Sequence, residues 1–433
     1  MHKLALLVVI LGAVGCGASS EGGPDAAGPA QDAGAGDPDS RGPDRPEQLP
    51  DAAVDPRFVA GWSSGPGWWL RTLAIRDGNL GWNALAIDSD GHIQVAGGGA
   101  TIANAQAGFE IYDPIVQGYD LDGVPLRRLG SIDVPGATWV GGLAAGADGK
   151  LCLAGGHIAA GLPPSPNADP WARCYDRAGT ITSEWLRPAP YGDYASGVAI
   201  DATGVVAVAG HSLTPDPYTH GFVASLLPGG QLGWIDDFDD GARGDDLAFS
   251  IVAGAHGGFF VAGSSDTSQH PGKIWLRHYG ADGRLDLTRA LDRYSGEELV
   301  ATPDGGFLTY LFSADVIAHD ASGLERWRYR LPTLPGRAFS ASAVAAAPDG
   351  TVHVLLFDNG DSSSPGLPIL VELDAAGHER RRRNLDMLPW SDFWIASALR
   401  VDPAGGLVVA GVHGVPWGEG MVLRLLPAAR ANP

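Results

Sequence analysis

The segment 245–283 carries Asp245-Asp246-Leu247-Ala248-Phe249-Ser250-Ile251, then Gly257-Gly258-Phe259-Phe260-Val261-Ala262-Gly263, then Trp275-Leu276-Arg277 and Ala281-Asp282-Gly283. Short apolar runs alternate with Gly-rich turns, and no helical spacing links them. Runs of this length bounded by turn residues read as antiparallel strands. Asp-Gly, or a substitute for it, supplies the positive φ that a tight hairpin turn requires.

The unit recurs seven times. Turn glycines stand at Gly91, Gly149, Gly204, Gly257, Gly305, Gly350 and Gly405, spaced 45 to 58 residues apart. Five residues after each, a second strand is closed by Ala96, Ala154, Ala209, Ala262, Tyr310, Leu355 and Ala410. A second set of glycines, Gly123, Gly179, Gly230, Gly283, Gly323 and Gly377, marks another hairpin in six of the units. Each unit therefore reads as strand A, turn, strand B, variable loop, strand C, turn, strand D. Four strands at a period near 50 form a propeller blade. The seventh unit stops after its strand C, at Leu423-Arg424-Leu425-Leu426. Its missing strand D is found at the other end, where Trp68-Trp69-Leu70-Arg71-Thr72-Leu73 looks like Trp185-Leu186-Arg187 and Trp327-Arg328-Tyr329-Arg330. The expectation is an all-β chain whose residues 57–433 form a seven-bladed β-propeller of four-stranded blades, the ring closed by an N-terminal strand that completes the last blade. Closure leaves no open radial gap, and a monomer is expected.

The segment 245–283 resembles the SBBP-type β-propeller repeats of bacterial surface proteins and lipoproteins, over about residues 58–430. Blades five and six depart from the pattern by lacking the Ala-Gly ending of strand B. The resemblance implies an extracytoplasmic propeller and brings no catalytic residues with it.

The first 56 residues supply an address. Met1-His2-Lys3 and the apolar run Leu4 to Leu11 read as a signal peptide over residues 1–15, too short to span a bilayer. Ala13-Val14-Gly15-Cys16 resembles a bacterial lipobox, which marks Cys16 for lipidation. Residues 16–56 are almost entirely Gly, Ala, Pro, Asp, Ser and Glu and read as a disordered tether with a reach of about 35 Å. The outer membrane is the expected location, contacted through the lipid anchor alone. Acidic residues outnumber basic ones by 50 to 29, a formal charge of −21, which argues against a nucleic-acid partner.

In a propeller the B–C and D–A loops share one face, and here the distance between a blade's two turn glycines varies from 18 to 32 residues. Variable loops on a rigid scaffold are where binding resides. The same face receives the starts of the inner strands, which carry Trp82, Trp139, Tyr194, Phe339 and Trp394. Two readings stand: the rings pack between blades, or they form a platform for sugars or apolar groups. His157, His211 and His413 follow strand B in blades two, three and seven, but blade one separates seven from two, which argues against a shared ion. Asp236-Asp237-Phe238-Asp239-Asp240-Gly241 reads as a solvated acidic loop, with Ca²⁺ as the alternative. Cys152 and Cys174 face each other in strands B and C of one blade, as a disulfide or as two buried thiols. Arg380-Arg381-Arg382-Arg383 lies on an outer strand, where charge blocks strand pairing or offers a patch to an anionic partner. Gly61-Trp62-Ser63-Ser64-Gly65 matches the Gly-x-Ser-x-Gly pattern without the strand-to-helix elbow that nucleophile needs, and is read as a turn.

No catalytic, metal or cofactor motif emerges from this reading. The expected function is a binding or scaffold module of the cell envelope, holding a protein or glycan on its loop face. The alternative is an extracytoplasmic propeller enzyme, such as a polysaccharide lyase, a hydrolase or a quinone-cofactor dehydrogenase.

Overall fold

A computed structural model describes residues 58–427 apart from 76–77, 102–112, 130–135, 160–167, 189–191, 215–217, 240–243, 268–269, 292–297, 311–314, 333–338, 359–367, 386–393 and 414–417. The signal peptide, Cys16 and the tether expected at 16–56 lie outside the described residues.

The described residues form strands joined by turns. β1 (Phe58–Gly65) and β2 (Trp68–Ile75) come first. Blade one is β3 (Gly78–Ile87), β4 (Ile93–Thr101), β5 (Asp113–Tyr119) and β6 (Pro125–Leu129); blade two is β7 (Gly136–Ala145), β8 (Leu151–Ala159), β9 (Asp169–Tyr175) and β10 (Ile181–Leu186). Blade three is β11 (Asp193–Ile200), β12 (Val206–Leu213), β13 (Thr219–Leu226) and β14 (Leu232–Phe238); blade four is β15 (Gly244–Ala253), β16 (Phe259–Thr267), β17 (His270–Tyr279) and β18 (Leu285–Ala290). Blade five is β19 (Glu298–Ala301), β20 (Phe307–Tyr310), β21 (Val316–His319) and β22 (Glu325–Tyr329); blade six is β23 (Phe339–Ala346), β24 (Val352–Asp358), β25 (Pro368–Leu373) and β26 (Glu379–Asn384). β27 (Trp394–Val401), β28 (Leu407–His413) and β29 (Glu419–Leu425) complete the chain.

Strand A of each blade packs against strand A of the next, and β27 against β3 closes the circle. The fold is a seven-bladed β-propeller. Blade seven is built from both ends of the chain: β2 pairs antiparallel with β29, Trp68 opposite Leu425 and Leu73 opposite Gly420. One strand was not anticipated. β1 lies outside β2, Phe58 opposite Ile75 and Gly65 opposite Trp68, so blade seven has five strands. The Gly61–Gly65 string, expected to be a turn, is therefore strand. The turn falls immediately after it, at Pro66 and Gly67, where proline lacks the N–H a ladder needs and glycine takes φ 83°.

All A–B and C–D hairpins share one turn. At Asp402 the Gly405 N–H donates to the Asp402 carbonyl (2.9 Å), and the Asp402 N–H donates to the Gly406 carbonyl (2.8 Å). The Asp402 carboxylate accepts from the N–H groups of Ala404 (2.7 Å) and Gly406 (3.0 Å). Gly405 sits at φ 81°, which costs a glycine little. Blades one to six thus end on one side of the disc in two short, uniform turns, and blade seven in one.

The cores lie between blades, where apolar sheet faces meet. One cluster joins Leu73, Val408, Ala410 and Val422 of blade seven to Trp82, Leu85, Ile93 and Val95 of blade one. Cys152 and Cys174 stand directly opposite on β8 and β9, Cα atoms 4.1 Å apart, and are joined by a disulfide.

Three blade junctions carry an additional lock. The indole N–H of Trp69, Trp234 and Trp327, each on a strand D, donates to a carbonyl in the next blade's C–D turn: Leu121 (2.9 Å), Ala281 (3.0 Å) and Ala375 (2.9 Å). The Trp327 ring lies flat on Gly377, where an added Cβ would meet it at 2.5 Å. Trp327→Ala removes this bond and the packing beneath it. It is expected to lower stability by about 2 kcal/mol, read as a lower urea midpoint with unchanged slope.

The junction between blades seven and one carries further ties. The Leu121 carbonyl that receives Trp69 also accepts from Arg424 Nη (2.7 Å), and Arg424 Nε donates to Asp402 Oδ2 (2.6 Å). Arg71 donates to the Gly123 carbonyl (2.6 Å) and lies 3.7 Å over the ring of Trp62, which stacks on Trp69 at 6.0 Å.

Candidate functional site

The inner strands set the geometry of the loop face. Six of the seven carry a one-residue bulge at the same place, at Asn83, Gly141, Ser196, Phe249, Ser342 and Ser397. Two of these residues latch the next blade: Asn83 Nδ2 donates to the Val140 carbonyl (3.3 Å) and Ser342 Oγ to the Ala396 carbonyl (2.8 Å). In blade two the equivalent position must be glycine, since a Cβ on Gly141 would lie 2.2 Å from the Ala195 carbonyl oxygen.

Counted from the bulge, the aromatic residues do not form one ring. Trp82 stands one residue before it, Trp139 and Tyr194 two before, Phe339 and Trp394 three before. Alternate residues of a strand point to opposite faces, so the first and third positions share a face and the second takes the other. Trp82, 0% exposed, packs against blade seven, and Phe339 is buried against blade five. The side chain of Trp394 lies outside the described residues.

Trp139 and Tyr194 turn the other way and meet. Their ring centroids are 5.1 Å apart, and Tyr194 lies a further 5.1 Å from His211, directly opposite it on β12. Trp139 rests on Gly156, where any Cβ would strike its ring at 2.0 Å. The result is a half-buried row of three rings, tilted to one another by 35° and 32°, running from blade two to blade three. Beside it Asp193 is 3% exposed, and burial holds its carboxyl above the usual range against Ser212 and Arg187, with Asp237 and Asp169 adding to the rise. Arg187 donates to Asp237 at 2.8 and 3.1 Å and stands 3.8 Å from Asp193. An aromatic slab beside a carboxylate and a guanidinium can stack on a ring and hydrogen-bond to its substituents. Arg187 and Asp193 were not singled out from the sequence; the only signal was their six-residue spacing across a blade junction.

The three histidines face different gaps. His157 pairs with Thr138 and His413 with Trp394, both three residues before their bulges, whereas His211 pairs with Tyr194, two before. Burial pushes His211 down to about 4, so it is neutral at pH 7. The native state then binds fewer protons than the unfolded chain between pH 6.5 and about 4. Stability is full above that window and falls through it as the pH drops, by up to about 3 kcal/mol. Urea unfolding at pH 7 and pH 4.5 is expected to differ by about 2 kcal/mol more in the native chain than in His211→Gln.

The acidic segment expected to be a loop begins inside blade three: Asp236, Asp237 and Phe238 are the last residues of β14, paired with β13, and the acidic side chains are engaged on several sides. Asp236 accepts from the Tyr279 hydroxyl (2.8 Å), Asp237 from Arg187, and Asp239 stands 3.6 Å from His220. Residues 240–243 of that loop lie outside the described residues. Elsewhere Asp88, Asp90 and His92 place ligand-type atoms within 4.8 Å of one another. They belong to one A–B turn, where Asp88 Oδ1 accepts the N–H groups of Asp90 (3.0 Å) and His92 (2.8 Å), and Asp90 pairs with Arg177 at 3.2 Å.

No protein-family model matches the sequence, and no curated protein matches it. Among solved structures the chain is similar to the Dos1 propeller, with a TM-score of 0.48 and 11% identity over 82% of this chain and 94% of that one. It is similar to a protein of unknown function from Bacteroides caccae, with a TM-score of 0.40 and 14% identity over 66% and 94%. It is also similar to BamB from Moraxella catarrhalis, with a TM-score of 0.39 and 12% identity over 85% and 100%. Likeness this distant assigns no activity. The class is set by the chain's own topology: a closed seven-bladed β-propeller whose A–B and C–D turns are uniform.

Proposed function

We propose that the propeller is a binding module of the bacterial cell envelope, held to the outer membrane through a lipid on Cys16 and taking a protein or glycan ligand on its loop face. The observation that carries this reading is the half-buried Trp139–Tyr194–His211 stack at the loop-face end of blades two and three, with Asp193 and Arg187 beside it. Trp82 and Phe339 are used for packing, which leaves Trp139 and Tyr194 as the described aromatic starts with ring surface to offer. The SBBP-type repeat and the lipobox support the envelope location.

Two experiments test the parts separately. Labelled palmitate should enter the full chain in a bacterial host and be lost from Cys16→Ser; equal labelling of both removes the anchor. A glycan array and an envelope pull-down should give a ligand for the native chain that Trp139→Ala/Tyr194→Ala no longer holds while still melting cooperatively. A ligand retained by that variant moves the site elsewhere.

A further inference from the structure

The tryptophans that lock three junctions hold one place in the blade. Trp69, Trp234 and Trp327 stand opposite Arg424, Ser225 and Ala318 of their own strands C. In blade six the residue at that place is Arg381, opposite Glu372. Blade seven has no C–D turn to receive a lock, because its strand D comes from the other end of the chain; the Leu426 N–H donates instead to the Gly67 carbonyl of the β1–β2 turn (2.8 Å). Arg381 therefore occupies a lock position that faces no turn.

The four arginines of β26 divide between two faces. Arg380 and Arg382 lie toward blade five, where Arg382 reaches the Tyr329 hydroxyl (3.3 Å) and Glu379 (2.8 Å) and Arg380 stands 4.0 Å from Asp374. Arg381 and Arg383 take the opposite face. Register sets Arg381 beside Glu372 and His353, and Arg383 beside Leu370 and Leu355, two leucines that pack on blade seven. Arg381, Arg383, His353 and Glu372 thus share the surface turned to blade seven, at the border of an apolar core.

Polar groups on this surface are short of partners. Arg383 Nε and His353 Nδ1 are buried atoms without a hydrogen-bond partner, and no ion pair among the described residues reaches Arg381 or Arg383. Burial pulls Arg383 and His353 below their usual values, with Glu372 opposing it in both. One carboxylate beside two guanidinium groups leaves an excess of positive charge in a chain of −21. A half-buried guanidinium with an unused donor is costly, and an anion that accepts from it offsets that cost. Across the gap β2 turns Trp68 and Leu70 toward blade six, and their partners on β1 are Gly65 and Ser63, so no long side chain projects from this part of β1 toward the arginines.

We propose that Arg381 and Arg383, with His353 beside them, bind a phosphate-type oxyanion in the cleft between blades six and seven. A tetrahedral dianion presents oxygens to two guanidinium forks and an imidazole together, whereas a carboxylate presents two oxygens in one plane. Leu355, Leu370 and Leu70 border the inner end of the cleft, where a low local dielectric strengthens the attraction. The site lies between other blades than Trp139 and Tyr194 and does not depend on them.

The probe is inorganic phosphate, titrated into the full chain at constant ionic strength and followed by phosphorus-31 line width and by melting temperature. Saturable broadening and a rise in melting temperature are expected. Arg381→Gln/Arg383→Gln should weaken binding at least tenfold, while Arg380→Gln, on the blade-five face, should bind within twofold of the native chain. Arg381 is exposed, so Arg381→Gln alone keeps the test decisive if the double variant does not fold, with an expected loss of at least threefold. A second arm locates the source of the phosphate, using vesicles of phosphatidylcholine with phosphatidate and the Cys16→Ser chain, so that no lipid on Cys16 carries the protein to the membrane. Sedimentation with these vesicles that Arg381→Gln/Arg383→Gln reduces assigns the phosphate to a lipid headgroup; phosphate binding without sedimentation assigns it to a soluble molecule, and either result upholds the site. Absence of binding in both arms overturns it. So does an equal loss in Arg380→Gln and Arg381→Gln, which would show diffuse attraction to the arginine run and no site between the blades.

Discussion

Deleting residues 58–75 is expected to leave no cooperatively folding monomer. β2 contributes Trp69, Leu70, Leu73 and Ile75 to the cores on both sides of blade seven, each 8% exposed or less. Burying a side chain of this size contributes about 1.5–3 kcal/mol, so four of them approach the whole stability of a typical domain, about 5–15 kcal/mol. The deletion also removes the Trp69 lock and strips β29 of its partner, exposing a strand edge between two apolar faces. Size-exclusion chromatography should show aggregates or oligomers, and calorimetry no transition matching the native one. A monomer melting at the native temperature would mean that β2 does not hold the ring.

Arg424→Met is the second large effect. The Arg424 and Asp402 side chains are 6% and 0% exposed, and the guanidinium also reaches Leu121 across the junction. Removing the arginine leaves a carboxylate buried without its cation, which costs about 3–5 kcal/mol. Asp402→Asn keeps an oxygen for the turn N–H groups and sheds the charge, so Arg424→Met/Asp402→Asn is expected to recover about half of the loss. Chemical denaturation of the four proteins of the cycle measures this. A double variant no more stable than Arg424→Met would show that the lost bond to Leu121, not the stranded charge, dominates.

The propeller was legible because its turns obey a local rule. Each hairpin needs a glycine at positive φ three residues after the turn opens, and that requirement holds whatever the strands contain, so the period survives divergence in blades five and six. Ring closure was legible from a deficit, a blade without its strand D, together with Trp69 at the far end. β1 was not, because Gly61, Ser63 and Ser64 resemble a loop and a fifth strand answers no deficit. The aromatic residues expose a different limit. Trp82 lies nine residues before its turn glycine, Trp139 and Tyr194 ten, Phe339 and Trp394 eleven. That parity decides which inter-blade gap each ring enters, since a shift of one residue along a strand reverses its side chain. The numbers were visible in the sequence, and grouping the residues by proximity alone concealed them. Arg187 and Asp193 were out of reach because they meet only after two blades have docked.

The pairing of β2 with β29 joins segments about 350 residues apart in the chain. Blades one to six are made of neighbouring hairpins and need only local sequence, so the strands of each can pair as its last strand is synthesised. The seventh waits for Glu419 to Leu425, and until then β2 and β3 have no blade-seven surface to cover them. Closure therefore follows the formation of blades one to six in a chain delivered N-terminus first, and it reports that synthesis has passed residue 425. A chain cut short before residue 419 is left as an open arc with an apolar face at each end, a recognisable substrate for chaperones and proteases.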